Sequence, residues 1–379
     1  MRKCIVIPDS FKGTLQAKEI CEIAEKKIRD IFPDCEVDKI PVADGGEGTV
    51  DCFLEALDAE KVSLFVHNAY MERIPVHYAR KGRQAIIEMA QAAGLPQVQG
   101  RENPLLTTTY GVGEMILHAI ENGCDDLIVG LGGSCTNDCG CGMAAALGVC
   151  FRKADGTQFV PVGGNLKDIA GIDMEKVKKR LQGVRVRAMC DIENPLCGEH
   201  GAAFVFAPQK GADAKQVKLL DDNLHYIGEY LSRLIGYDVI RIPGAGAAGG
   251  MGAGIQAFLK GELISGIDLV LDLVDFESRL AHADLVITGE GRFDSQSLEG
   301  KAVIGISRRA AKKKVPVVVV AGSIGEGVHR AYEMGVTALF SINRQAQDYQ
   351  VSRHFSRENL AATLEDILRM YQAAESKGI

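Results

Sequence analysis

Five times in this chain an apolar run ends in a loop that mixes glycine with charged or hydroxyl side chains. The loops are PDSFKGT at 8–14, ADGGEGT at 43–49, GLGGSCTND at 130–138, CDIENPLCG at 190–198 and TGEGRFDSQ at 288–296. That recurrence is the strongest constraint on the fold. Open α/β sheets present ligand-binding loops at the carboxyl ends of their strands, so five such endings predict parallel strands converging on one crevice. The third is the most explicit. Leu127, Ile128 and Val129 form a continuous apolar run suited to a strand buried on both faces, and residues 143–147 are strong helix formers. Glycines stand where strand hands over to helix. Gly130, Gly132 and Gly133 let a ligand approach the backbone, while Ser134, Thr136, Asn137 and Asp138 add hydroxyls, a helix cap and a candidate metal ligand, a set that suits an anion. No Lys follows the last glycine, as a P-loop requires, and Cys135 occupies the sixth position of the dinucleotide fingerprint.

Around these loops the chain alternates strand and helix at both ends. At the start, a strand at 4–7 leads to a helix at 15–28 capped by Thr14, then a strand at 37–42 and a helix at 50–57. Runs at 61–66, 74–79 and 84–89 have no helix between them and predict antiparallel strands. A helix over 112–121, a hairpin over 149–160 turning at Asp155-Gly156, a strand at 184–189 and a long amphipathic helix over 214–234 follow. The last third predicts strands at 285–288, 317–320 and 337–341, with helices at 302–313, 328–334 and 357–374. The expected fold class is therefore α/β in two domains. One is a discontinuous doubly wound domain, residues 1–80 with 275–379; the other is an inserted α/β domain, 81–274.

Composition narrows the partners. Among 379 residues, 43 glycines against 11 prolines, 6% aromatics and no Trp favour close helix-to-sheet packing over a β-sandwich. A formal charge of −7 argues against nucleic acid, and local loops must attract any anionic ligand against it. The opening MRKCIVIPDSFKG offers four apolar residues before Pro8, short for a secretion signal, and the strongly apolar run 315–321 is broken at Pro316, so no membrane span is expected. The expected location is cytoplasmic, where eleven scattered cysteines read as reduced thiols. The sequence carries no signal for oligomeric state.

Taken together, PDSFKGT, ADGGEGT, GLGGSCTNDCGCGM, CDIENPLCG, PGAGAAGGMGAG at 243–254 and TGEGRFDSQSLEGK at 288–301 resemble the type I glycerate kinases of bacteria across nearly the whole chain. The resemblance implies ATP-dependent phosphorylation of D-glycerate, with 2-phosphoglycerate the expected product. It also implies a fold of two α/β domains, one flavodoxin-like, with the active site between them.

Roles are assigned residue by residue. Asp191 closes an apolar strand ahead of the rigid Asn194-Pro195 turn and is the expected general base. Lys12, before Gly13, is placed to reach a transferring phosphoryl group or a substrate carboxylate. Gly130, Gly132, Gly133, Ser134, Thr136 and Asn137 form the expected nucleotide loop. Asp9, Ser10, Asp44, Asn194 and Arg292 are expected at the substrate. Glu290 and Asp294 are the expected Mg²⁺ ligands, with Asp44 and Glu47 alternatives for the ion or its water shell.

Two other motifs are weighed against these. Gly244, Gly246 and Gly249 match GxGxxG, which supports a dinucleotide-dependent oxidoreductase acting on a small hydroxy acid as the alternative. Cys135, Cys139 and Cys141 resemble a zinc cluster but lack a second pair, so buried thiols are expected there. A non-catalytic sensor of small anions is the third class.

Overall fold

The computed structural model describes residues 1–11, 13–42, 48–299 and 302–376. In chain order its strands are β1 (Lys3–Val6), β2 (Glu36–Lys39), β3 (Glu60–His67), β4 (Arg73–Lys81), β5 (Gln84–Glu88), β6 (Asp126–Gly130) and β7 (Cys150–Arg152). They continue with β8 (Gln158–Phe159), β9 (Gly171–Asp173), β10 (Arg185–Met189), β11 (Glu262–Ile264), β12 (Leu285–Phe293), β13 (Val317–Ile324) and β14 (Ala338–Ser341). The fold is mixed α/β, and the chain divides into two compact units, Met1–Asp44 with Ile267–Ile379, and Gly45–Gly266.

The unit built from both chain ends carries a five-stranded sheet in the order β2-β1-β12-β13-β14, every pairing parallel. Counted within the unit, that is the flavodoxin-like order 2-1-3-4-5, with its switch point between β1 and β12. One face is covered by helices Ala17–Ile31 and Ser356–Glu375, whose Ile20, Ala24, Ile28, Leu360, Leu364 and Leu368 pack on Cys4, Val6 and Ile287. Each such Ile, Leu or Val side chain fully removed from water contributes roughly 1.5–3 kcal/mol. Thr14 does not cap Ala17–Ile31. Its Oγ1 donates instead to the Phe11 carbonyl at 2.9 Å, and Glu19 reaches back to the Gln16 amide at 3.0 Å.

β12 and β13 run five and four residues past the ends that periodicity suggests. Glycine explains the extension: a Cβ on Gly289 would stand 2.0 Å from the Val320 carbonyl oxygen, and one on Gly322 2.4 Å from that of Gly291. The polar stretch GEGRF therefore pairs as strand, with Glu290 opposite Ala321 and Phe293 opposite Ile324.

The second unit holds a six-stranded sheet in the order β11-β10-β6-β5-β4-β3. β11, β10, β6 and β5 are parallel, and β4 and β3 add antiparallel, as the helix-free runs predict. β6 lies inside the sheet with Leu127, Ile128 and Val129 fully buried. The hairpin of β7 and β8 forms as expected and is extended by β9. Both seams fall away from the expected 80/81 and 274/275 positions, for visible reasons. β3 and β4 hydrogen-bond into the sheet of β5, which carries residues 60–81 into the second unit. At the other seam, Arg309 binds Asp268 and Asp272 at 3.0 and 2.6 Å, holding Gly266–Leu273 to the first unit. Among the described residues no helix is long and apolar enough to cross a membrane.

Candidate active site

Four parallel strands of the second unit end level with one another. Glu88 pairs with Gly130, Gly130 with Met189, and Met189 with Ile264. Their continuations carry the residues that matter. Glu88 is only 3% exposed, and its carboxylate accepts from the Val50 amide at 3.3 Å, in the first turn of helix Thr49–Leu57. Sequence reasoning missed Glu88 because no glycine follows it. The available signal was a lone acid closing the apolar run AII.

Beyond Gly130 the loop turns inward. Asp138 is wholly buried, and its carboxylate collects five donors: the Thr108 hydroxyl at 3.3 Å, the Thr109 hydroxyl at 2.9 Å, and the amides of Thr109, Gly140 and Gly142 at 2.7, 3.2 and 3.1 Å. It acts as a cap on helix Cys141–Ala146 and as a tie to the Thr107-Thr108-Thr109 segment, which satisfies donors that helix starts leave open. Burial still pushes its carboxyl upward from the usual range. Thr107 donates to the Cys135 carbonyl at 3.0 Å, and the Cys135 amide donates to Ala93 at 2.9 Å. The amides of residues 139–143 are likewise engaged inward, on Gly249, Asp138 and Thr109. Gly133 is exposed with φ of +73°, and Gly132 is half-buried; this tip is the part of the loop that meets solvent. Ser134, Thr136 and Asn137 are buried beneath it, the Thr136 hydroxyl and both polar atoms of the Asn137 side chain lacking a partner among the described residues.

A residue with no sequence signal lies under this loop. Lys210 is 2% exposed, and its ammonium donates to Ser134 Oγ at 2.7 Å and to the Thr136 carbonyl at 2.8 Å. Burial pulls its pKa down to about 8.

Asp191 follows β10 and is exposed; one of its oxygens accepts from the Gly266 amide at 2.8 Å, which orients the carboxylate. Asn194 uses its side-chain amide on the His200 carbonyl at 2.9 Å and its own carbonyl on the Gly246 amide at 3.0 Å. It shapes the loop that carries Asp191. The 243–254 tract packs against these loops: a Cβ on Gly246 would stand 2.3 Å from the Pro195 carbonyl oxygen, and one on Gly249 2.0 Å from that of Thr136. Close backbone approach, not a dinucleotide, accounts for these glycines. Cys135, Cys139 and Cys141 are buried, and burial raises all three thiols, Cys135 to about 12.

In the first unit the switch point brings Asp9 and Ser10 beside β12. The Asp9 amide donates to the Gly289 carbonyl at 2.9 Å, and its carboxylate accepts from the Ser10 amide at 2.6 Å. Arg292 and Asp294 pair at 2.9 Å, Arg292 with 73% of its side chain exposed, and Asp294 also accepts from the Gln296 amide at 3.0 Å. Lys12, Asp44 and Glu47 lie outside the described residues. Among the described residues no three His, Cys, Asp or Glu side chains converge on a point that could hold a metal ion. With the Asp294 carboxylate already engaged, this donor set suits Mg²⁺ only where phosphate oxygens supply most of the ligands.

A family model described as the glycerate kinase family matches residues 4–372. A glycerate kinase of Bacillus cereus is 43% identical over 378 residues, covering 99% of each chain. A glycerate 2-kinase of Escherichia coli K12 is 42% identical over 343 residues, 90% of each chain. A crystal structure from Salmonella typhimurium LT2, described as a candidate glycerate kinase 2, superposes with a TM-score of 0.87 at 39% identity and covers 99% of both chains.

Proposed function

The chain belongs to the glycerate kinase family, and from that premise we propose that it transfers the γ-phosphoryl group of ATP to a hydroxyl of D-glycerate, giving 2-phosphoglycerate. One observation carries the site assignment: an exposed glycine tip on a rigidly buried base ends the strand next to the one that leads to Asp191. Phosphoryl transfer asks mainly for positioning and charge stabilisation, and this pair offers both.

Gly130, Gly132 and Gly133 hold the nucleotide phosphates through backbone that no side chain obstructs, with Ser134, Thr136 and Asn137 shaping the loop from beneath. Asp191, fixed by the Gly266 amide, accepts the proton of the attacking hydroxyl. Asn194 sets that loop's conformation. Asp9, Ser10 and Arg292, with Lys12 and Asp44, are proposed for the substrate and its charge. Glu290 and Asp294 would hold Mg²⁺, which would offset the phosphate charge. Eleven cysteines, none of them in a disulfide, support a reducing, cytoplasmic location.

The test is a coupled assay of ADP release over a panel of small hydroxy acids, with ³¹P NMR to identify the phosphorylated carbon. ADP release that depends on D-glycerate and yields the 2-phosphate is expected. Turnover without glycerate, or with nicotinamide oxidation in place of ADP, overturns the assignment.

A further inference from the structure

Three acidic or basic side chains are buried among the described residues: Glu88, Asp138 and Lys210. The two acids receive donors, but among the described residues no carboxylate pairs with the Lys210 ammonium; it meets only a hydroxyl and a carbonyl of the 130–138 loop. A buried cation with neutral partners is unfavourable, and proteins keep one where a counter-charge arrives with a ligand. The loop above it shows the same incompleteness, because the Thr136 hydroxyl and the whole Asn137 amide are buried without partners among the described residues.

We propose that Lys210 is a positioning residue whose charge sets the affinity of the loop for the phosphates of a nucleotide. It acts through Ser134 and Thr136 and does not touch the ligand. The proposal rests on the assignment of nucleotide phosphates to that loop. The ammonium pins Ser134 and Thr136, just past the glycine tip, and it gives the tip a positive potential in surroundings that screen little. A neutral Lys210 leaves the same glycine tip without that field.

Other titratable groups face this region. Cys135 remains a thiol, its pKa raised to about 12; Tyr70, near Cys135, is raised above its usual value; Asp138 is buried among its five donors. Glu102 lies against Gly211, where its carbonyl oxygen would stand 2.5 Å from an added Cβ. Burial brings the Lys210 pKa to about 8, and terminal phosphates are fully ionised above neutrality.

The experiment measures the Kd of ATP at pH 7 and pH 9 on the intact protein, for wild type, Lys210→Met and Gly133→Val, with glycerate KM and kcat alongside and circular dichroism to check folding. For wild type, Kd should rise at least several-fold between pH 7 and 9, an arm that needs no variant. Lys210→Met should bind ATP about tenfold or more weakly at pH 7 and show no further change at pH 9, its glycerate KM unaltered. A pH slope that persists in Lys210→Met assigns the titration to Asp138 and overturns the proposal. So does wild-type affinity in Lys210→Met, or an effect on glycerate KM alone. If Gly133→Val weakens ATP binding and Lys210→Met does not, this inference alone fails. If Gly133→Val also leaves ATP binding intact, the loop assignment fails with it.

Discussion

Asp294 and Asp138 both sit in glycine-bearing loops after a buried strand, yet their partners lie at very different distances along the chain. Asp294 bonds to Arg292 and Gln296, each two residues away. Asp138 bonds to Thr109, 29 residues away, and nearby Ser134 receives Lys210 from 76 positions on. The first is a surface turn that its own sequence stabilises. The second is a frame that forms only once distant segments have packed. Two loops that read alike as strings of Gly, Asp and Ser thus differ in kind, and the difference lies in whether the acid is satisfied by its neighbours in sequence or collects donors from other elements.

Four substitutions would break or sharpen this contrast, in descending order of effect. Asp191→Asn keeps size and removes the base, so kcat should fall 10² to 10⁴-fold, about 3 to 5 kcal/mol, with ATP affinity nearly unchanged in steady-state kinetics. A loss below about tenfold would reduce Asp191 to orienting the substrate. Asp138→Ala strands five donors in the interior and should cost at least about 3 kcal/mol in urea denaturation, or prevent soluble expression; a stable, active variant would show that the frame is dispensable. Gly133→Val imposes a β-branched side chain at positive φ on the exposed tip, so the KM for ATP should rise roughly tenfold while circular dichroism stays native. Arg292→Ala at the surface turn should shift stability by less than about 1 kcal/mol in the same urea experiment. A larger loss would mean that the two loops are more alike than their contacts indicate.

Much of this contrast was legible in the sequence, and the gaps have physical causes. β6 and the antiparallel run of β3, β4 and β5 were readable because continuous or alternating apolar residues report burial directly. The extension of β12 to Phe293 was hidden, since Gly289, Glu290, Gly291 and Arg292 look like loop until the close approach to β13 is seen. Thr14 looked like a cap because hydroxyls favour that position, but the Phe11 carbonyl competed for it. The seam near residue 80 misled because a strand's sheet partner is a tertiary fact. Glu88 and Lys210 were missed for the same reason: a single charge in an unremarkable segment acquires meaning only from what folds over it. The fold class, by contrast, follows from periodicity alone, and the five-stranded sheet has the flavodoxin-like order.

The order of strands in that five-stranded sheet also fixes a schedule for synthesis. β1 lies between β2 and β12, and the bond from the Thr288 hydroxyl to the Ile7 carbonyl joins residues 281 positions apart. At about 5–20 residues per second, the ribosome delivers the partner of β1 roughly 15 to 60 s after β1 itself. Throughout that interval Cys4, Ile5, Val6 and Ile7, all fully buried in the finished protein, have one side of their strand unpaired. The contiguous chain of the second unit completes its own sheet during the wait. β1 is therefore made before the second unit but closed after it, and a nascent chain halted near residue 270 exposes it to chaperones and proteases.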